Sequence, residues 1–110
     1  MKGINLGEFE ELVLLTVGAL HEQAYGVSVM DEIKGKTGRN VNISAIHTAL
    51  KRLEEKGFVE SQMGGATNVR GGRRKRFFLL TAAGKVTLDQ AQDMRMQFYK
   101  RIPEVTFSNS

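Results

Sequence analysis

The sequence of 110 residues contains no cysteine, and histidine occurs only at His21 and His47. The absence of cysteine excludes disulfide bonds, thiol chemistry and zinc sites built on cysteine, and it suits a reducing compartment. Each histidine falls on a predicted turn or helix surface, and no acidic pair or glycine-rich loop has the spacing of a catalytic, phosphate-binding or metal site. We therefore expect no metal, no cofactor and no enzymatic activity.

Long apolar runs are also missing. The run from Leu12 to Leu20 is far too short to span a bilayer. Glu8, Glu10 and Glu11 precede it at positions where a signal peptide carries cations. We therefore expect this run to form a buried helix of a cytoplasmic protein. With 110 residues and a hydrophobic content of 41%, the chain is long enough for one domain with a small core, which dimerisation would enlarge.

Positive charge is concentrated in one short stretch. The basic residues of this stretch are Arg70, Arg73, Arg74, Lys75 and Arg76. They contribute +5 to a net charge of +4, so the rest of the chain sums to −1. Such a local patch favours a polyanionic partner. Its last four cations run directly into four large apolar residues, 77–80, which predicts a strand with its far end buried and its near end in solvent.

Apolar periodicity and glycine placement predict the element order α-α-α-β-β-α. The predicted helices cover 6–20, 27–36, 43–56 and 82–101, and the predicted strands cover 58–63 and 73–80. Asn5 with Glu8 forms a capping-box pattern before the first helix, Asn42 or Ser44 can cap the third, and Thr81 can cap the fourth. A glycine-rich segment, 64–72, predicts a hairpin loop, and a two-stranded hairpin must pack on the helices to be stable.

This order predicts a mostly α fold with a two-stranded β wing, which is a winged helix-turn-helix. We expect a DNA-binding domain over 1–81, a dimerisation helix over 82–102 and a flexible tail over 103–110. Pro103 is placed to end the last helix.

The third predicted helix has the pattern of a DNA-reading helix. Its apolar residues at 46, 49, 50 and 53 share one face, which leaves small and basic side chains outside. The candidate contacts on this helix are Ser44, Ala45, His47, Thr48, Lys51 and Arg52. The same side chains, followed by Glu54 and Glu55, also describe an ordinary solvated helix face.

The basic stretch is the second candidate contact with DNA. Arg74 and Arg76 share one strand face with Phe78, while Lys75 shares the other with Phe77. Cations near the tip of a wing can neutralise phosphates without sequence preference. The alternative is a charged hairpin edge that prevents aggregation, but four adjacent cations exceed that need, which favours binding.

The last predicted helix carries more apolar surface than a domain of this size can cover, which favours a homodimer; the alternative is a helix folded back onto its own domain. The predicted interface residues are Leu12, Leu15, Leu88, Ala91, Met94, Arg95, Phe98 and Ile102.

Three segments carry a resemblance to a known family. They are Leu20–Gly26, Leu50–Val59 ("LKRLEEKGFV") and Arg73–Gly84 ("RRKRFFLLTAAG"). Together they resemble the PadR-like winged-helix transcriptional regulators over roughly 12–88. The resemblance implies a bacterial cytoplasmic homodimer, usually a repressor, that binds a palindromic operator. It places 44–52 in the major groove, the wing 64–76 on flanking DNA and the helix 85–102 at the dimer interface.

The chain departs from the family pattern in two places. His47 stands where the family usually has tyrosine, and the chain is short after Pro103, as in the compact subgroup with one C-terminal helix. Some members bind aromatic or drug-like effectors at the dimer interface, but without tryptophan or a long C-terminal domain no ligand site is assigned. Two alternatives stay open: a sensor capturing a small molecule between the first and last helices near Met94 and Phe98, and a protein-interaction winged helix without nucleic acid.

Overall fold

The computed structural model describes residues 6–64 and 74–105, which form four helices and a two-stranded antiparallel sheet. The helices are α1 (Glu8–Leu20), α2 (Gly26–Thr37), α3 (Ile43–Glu55) and α4 (Ala82–Tyr99), and the strands are β1 (Val59–Met63) and β2 (Arg76–Leu80). A short 3₁₀ turn, His21–Gln23, connects α1 to α2. The predicted order and the mostly α class with a β wing are confirmed.

Most helix ends lie where the sequence predicts them. The Asn42 side chain accepts a hydrogen bond from the Ala45 N–H at 2.8 Å, and the Thr81 hydroxyl accepts one from the Gly84 N–H at 3.0 Å. Gly57, just after α3, has a φ of 81°, a left-handed conformation that glycine adopts without steric cost.

The predicted start of α1 is wrong. The helix begins at Glu8 after Gly7, and no side chain of the residues that the structure describes caps it. The predicted cap, Asn5, lies outside the described residues. Instead, Glu8, Glu10 and Glu11 fill the first turn, where carboxylates favour the positive end of the helix dipole.

The basic strand is shorter than predicted. β2 starts at Arg76, which pairs with Met63 at the end of β1. Arg74 and Lys75 precede the strand, and Arg73 lies outside the described residues. β1 ends opposite Arg76, and one further bond, from the Gly64 N–H to the Lys75 carbonyl at 2.5 Å, continues the pairing.

The core lies where α1, α2 and α3 meet and includes the fully buried Leu14, Ile33 and Leu50. The hairpin adds Val59 and Phe78 to it. The outer edge of β2 is also covered, because the Phe78 N–H donates to the Ala24 carbonyl at 2.9 Å. The prediction that the hairpin packs on the helices is confirmed.

Helix α4 leaves the core halfway along its length. Gly84 and Leu88 are buried and Ala91 is half-buried, whereas every residue from Gln92 to Val105 is exposed. The predicted apolar stripe is therefore split, with Met94, Phe98 and Ile102 in solvent in the single chain. No helix within 6–64 and 74–105 is both long and apolar enough to cross a membrane.

Candidate nucleic-acid interface

The outward face of α3 carries small and basic side chains. Because residues advance about 100° around a helix, Ser44, Thr48 and Lys51 lie opposite the buried side of α3, and all three are exposed. Glu55 continues the same line at the C-terminal end and would repel phosphate. The surface suited to DNA is therefore the first two to three turns of the helix, while Ala45 lies on its flank, half-buried.

His47 lies on the flank of α3 that faces the start of α2. A Cβ atom added to the buried Gly26 would come within 2.7 Å of the His47 Cε1 atom, so the imidazole lies directly against that backbone. His47 is exposed as a whole, and its ring contacts the first residue of α2. This side chain thus packs α3 against the start of α2.

Arg52 lies on the opposite flank, next to α1. Its Nη1 atom is 3.7 Å from the Glu10 Oε2 atom, and the Lys56 Nζ atom is 2.6 Å from the Glu10 Oε1 atom. Two cations of α3 thus meet one carboxylate of α1. Sequence reasoning missed Glu10, since nothing in the local pattern of α1 indicates a partner 46 positions away.

The described cations of the wing each have a defined neighbour. The Arg74 Nε atom donates to the Gly64 carbonyl at 3.0 Å. The Arg76 Nη1 atom donates to the Ser61 hydroxyl at 3.0 Å, and that hydroxyl donates to the Glu54 carboxylate at 2.7 Å. This chain of bonds connects β2 through β1 to the end of α3. Arg70 and Arg73 lie outside the described residues.

Tyr25 connects the other face of the wing to the helix-turn-helix. Its ring meets Phe77 edge-on at 5.4 Å, and the Lys75 Nζ atom lies 4.1 Å from the Tyr25 ring centroid. Lys75 and Arg76 therefore project to opposite faces of the hairpin, as the strand alternation predicts. The role of Tyr25 was also missed, because it depends on a single bridge between Tyr25 and Phe77.

The exposed half of α4 presents a broad apolar surface. Met94 and Phe98 lie on one side of it and Met96 and Tyr99 on the other, and Ile102 follows just beyond the end of the helix; their exposed fractions are between 42% and 70%. Of the predicted interface residues on α1, Leu15 is exposed and Leu12 half-buried. We name the surface formed by Met94, Met96, Phe98, Tyr99 and Ile102 the α4 apolar face.

Arg95 connects this half of α4 to the domain. Its Nη2 atom donates to the Glu11 carboxylate at 2.7 Å, and this hydrogen bond raises the pKa of Arg95 above its ordinary value. An open groove of about 370 Å³ runs beside it and is lined by Gln92, Arg95, Met96 and Tyr99. This lining differs from the predicted ligand site near Met94 and Phe98. Within 6–64 and 74–105, no cluster of three or more acidic, histidine or cysteine side chains could hold a metal ion.

An exposed helix anchored by its apolar face, a preceding helix and turn packed against it, and a two-stranded basic hairpin define a winged helix-turn-helix protein. The family model described as the transcriptional regulator PadR-like family matches residues 14–90. The chain therefore belongs to the PadR-like family of transcriptional regulators, and the resemblance read from the sequence is confirmed.

Solved structures of the same fold come from several bacteria. A PadR family transcription regulator from hypervirulent Clostridium difficile is 24% identical, with a TM-score of 0.68 over 87% of this chain and 94% of that one. A PadR-like transcriptional regulator from Bacillus cereus is 16% identical, with a TM-score of 0.67 over 89% and 93%. A PadR family transcriptional regulator from Eggerthella lenta is 19% identical, with a TM-score of 0.65 over 84% and 80%. A search of curated proteins found no match.

Proposed function

We propose that the protein is a dimeric, sequence-specific DNA-binding repressor of transcription without catalytic activity, acting in the bacterial cytoplasm where the chromosome lies. The observation that carries the proposal is the connection between α3 and the basic wing. The Arg76–Ser61–Glu54 chain holds a cationic hairpin beside the end of an exposed helix whose outer side chains are Ser44, Thr48 and Lys51. A rigid body of this kind can place a helix in the major groove and cations on the flanking phosphates.

The two parts of this surface have different roles in the proposal. Ser44 and Thr48 are short enough to let the α3 backbone approach base edges, and Lys51 can reach a phosphate or a guanine. Arg74, Lys75 and Arg76 contribute affinity that does not depend on sequence. The segment 1–81 would therefore read DNA, and 82–102 would join two copies.

The dimer proposal rests on the α4 apolar face. Four large side chains exposed on α4, with Ile102 just beyond its end, form a patch that a second copy can bury, and two copies related by a twofold axis match a palindromic operator. The groove beside Tyr99 lies on this face, so we expect the partner helix to fill it. The two α3 helices would then sit about 34–36 Å apart, one turn of DNA.

Neutralising the wing should weaken binding to DNA of every sequence. In the double variant Arg74→Gln/Arg76→Gln, each lost phosphate contact should lower the slope of log affinity against log salt by about 0.9 per protomer. Fluorescence anisotropy with operator and unrelated duplexes, between 50 and 200 mM salt, measures this slope. The matched control, Lys85→Gln/Lys100→Gln, removes the same charge from α4. Equal slopes for the two double variants would contradict a role of the wing in DNA binding.

Changing the outward face of α3 should alter sequence preference instead. Removing the Thr48 hydroxyl and methyl group with Thr48→Ala should lower the ratio of operator to nonspecific affinity by about tenfold, since one lost base contact costs on the order of 1–3 kcal/mol. The salt slope should stay unchanged because no charge is lost. The operator itself comes from selection of bound sequences out of a random duplex pool. If Thr48→Ala selects the same sequences with the same preference, α3 does not read bases at this position.

A further inference from the structure

We infer that Glu10 is a positioning residue for DNA binding: it holds Arg52 and Lys56 of α3 against α1 and so withholds two cations from the phosphates. The inference rests on the proposed function. Its basis is the pair of contacts at 2.6 Å and 3.7 Å that join one carboxylate to both cations. Neither cation lies on the outward line of Ser44, Thr48 and Lys51.

The setting of Glu10 makes this contact more persistent than an ordinary surface pair. The Glu10 side chain is 12% exposed and that of Lys56 is 27% exposed, whereas the neighbouring Arg39–Glu8 pair is 39% and 70% exposed. Solvent screens a shielded pair less, and a shielded carboxylate that loses its partner is left poorly solvated. A phosphate must therefore compete with an existing contact before it can attract Lys56 or Arg52.

Arg52 is the cation that DNA would gain if the contact were broken. It follows Lys51 on α3, its side chain is 64% exposed, and its guanidinium lies 3.7 Å from the Glu10 carboxylate. An arginine on the flank of a recognition helix can reach the phosphates that border the major groove. Such a contact adds affinity for all DNA, which slows the search for an operator among competing sites. By holding Arg52 and Lys56, Glu10 limits this background affinity.

The test compares two variants that each remove one negative charge from the first turn of α1. Glu10→Gln should release Arg52 and Lys56, so that each added phosphate contact steepens the salt slope for an unrelated duplex by about 0.9. Each added contact should make the affinity fall about 3.5-fold more between 50 and 200 mM salt than it does in wild type. Glu8→Gln changes the net charge equally but frees Arg39, which lies between α2 and α3 and contacts Glu8 at 2.6 Å. Arg39 keeps a second contact with α1, since its Cζ atom lies 5.6 Å from the Phe9 ring centroid, so the slope of Glu8→Gln should remain that of wild type.

Two further variants identify the released cations. Adding Arg52→Gln and Lys56→Gln to Glu10→Gln should remove the gain. The same two changes in the wild-type background should leave the slope unaltered, because there the cations are held on α1. If Glu10→Gln does not fold, a flattened slope of Arg52→Gln/Lys56→Gln in the wild-type background still contradicts the inference.

The outcomes separate this inference from the function on which it rests. If wild type shows no salt-dependent binding to any duplex, the proposed DNA binding fails and the inference with it. If wild type binds but Glu10→Gln behaves like Glu8→Gln, or if Arg52→Gln/Lys56→Gln flattens the wild-type slope, the inference alone is wrong.

Discussion

The variant Phe98→Asp should be monomeric and should bind a two-half-site operator about 10²- to 10⁴-fold more weakly than wild type. Phe98 is 62% exposed on the α4 apolar face, and a carboxylate there would have to be buried without a partner when two copies associate. In a dimer, binding of the first half-site makes binding of the second an intramolecular event. A monomer lacks this advantage, and its size sets the expected range of 10²- to 10⁴-fold. Sedimentation of the free protein and titration of the operator measure the two consequences separately.

The control for this variant is the neighbouring residue. Gln97→Asp introduces the same charge one position away, about 100° around the helix and on the polar side of α4. We expect it to remain dimeric with nearly wild-type affinity. A single half-site duplex provides a second control, since both variants should bind it as wild type does. A dimeric Phe98→Asp protein would show that the α4 apolar face is not the interface.

The variant Gly84→Ala should destabilise the protein by about 3 kcal/mol, at the upper end of the cost of overpacking. Gly84 is buried in the first turn of α4, where an added Cβ would overlap the Phe58 carbonyl oxygen and approach the Leu80 Cδ1 atom to 2.8 Å. The carbonyl cannot easily withdraw, because it accepts a hydrogen bond from the Thr81 N–H at 3.0 Å. The Thr81 hydroxyl also donates to the Gly57 carbonyl at 2.7 Å, so α4 begins directly on this backbone.

Thermal unfolding at a fixed protomer concentration measures this effect, because association would also shift the midpoint. For a chain of this length, 3 kcal/mol corresponds to a decrease in Tm of roughly 10–20 °C. Gly35→Ala is the matched substitution: Gly35 lies in α2 with nothing within 4 Å of the added Cβ. Alanine is the better helix former by about 1 kcal/mol, so this variant should be stabilised. If Gly84→Ala and Gly35→Ala raised Tm by the same amount, α4 would not pack this closely on Phe58.

The Gly84 contact explains part of the sequence pattern by which the family is recognised. Thr81 caps α4 through the Gly84 N–H, and Gly84 allows the helix to approach Phe58. The cap could be predicted from the sequence, because Thr81 and Gly84 are three residues apart within one turn. The need for glycine at position 84 could not be predicted, because the atom that excludes a side chain is the carbonyl oxygen of Phe58. This residue directly precedes β1 and lies 26 positions earlier in the chain.

The basic stretch, too, has features that could be predicted from the sequence and features that could not. Its sequence predicts a cationic segment leading into a buried strand, and Phe78 is indeed 5% exposed. It does not predict that β2 begins only at Arg76, because the start of this strand depends on its partner β1, which ends at Met63. Nor does it predict that Lys75 lies over Tyr25 while Arg76 reaches Ser61, since both neighbours come from other elements.

The sequence by itself determined the order of the elements, the cap of α4, the apolar side of α3 and the place of the positive charge. These features depend on residues within a turn or two of one another, or on composition alone. Only the tertiary structure decided which charges pair and which surfaces remain uncovered. Glu10 meets Lys56 because α1 packs across the end of α3, and α4 exposes Phe98 because it extends beyond the small domain that covers its first half.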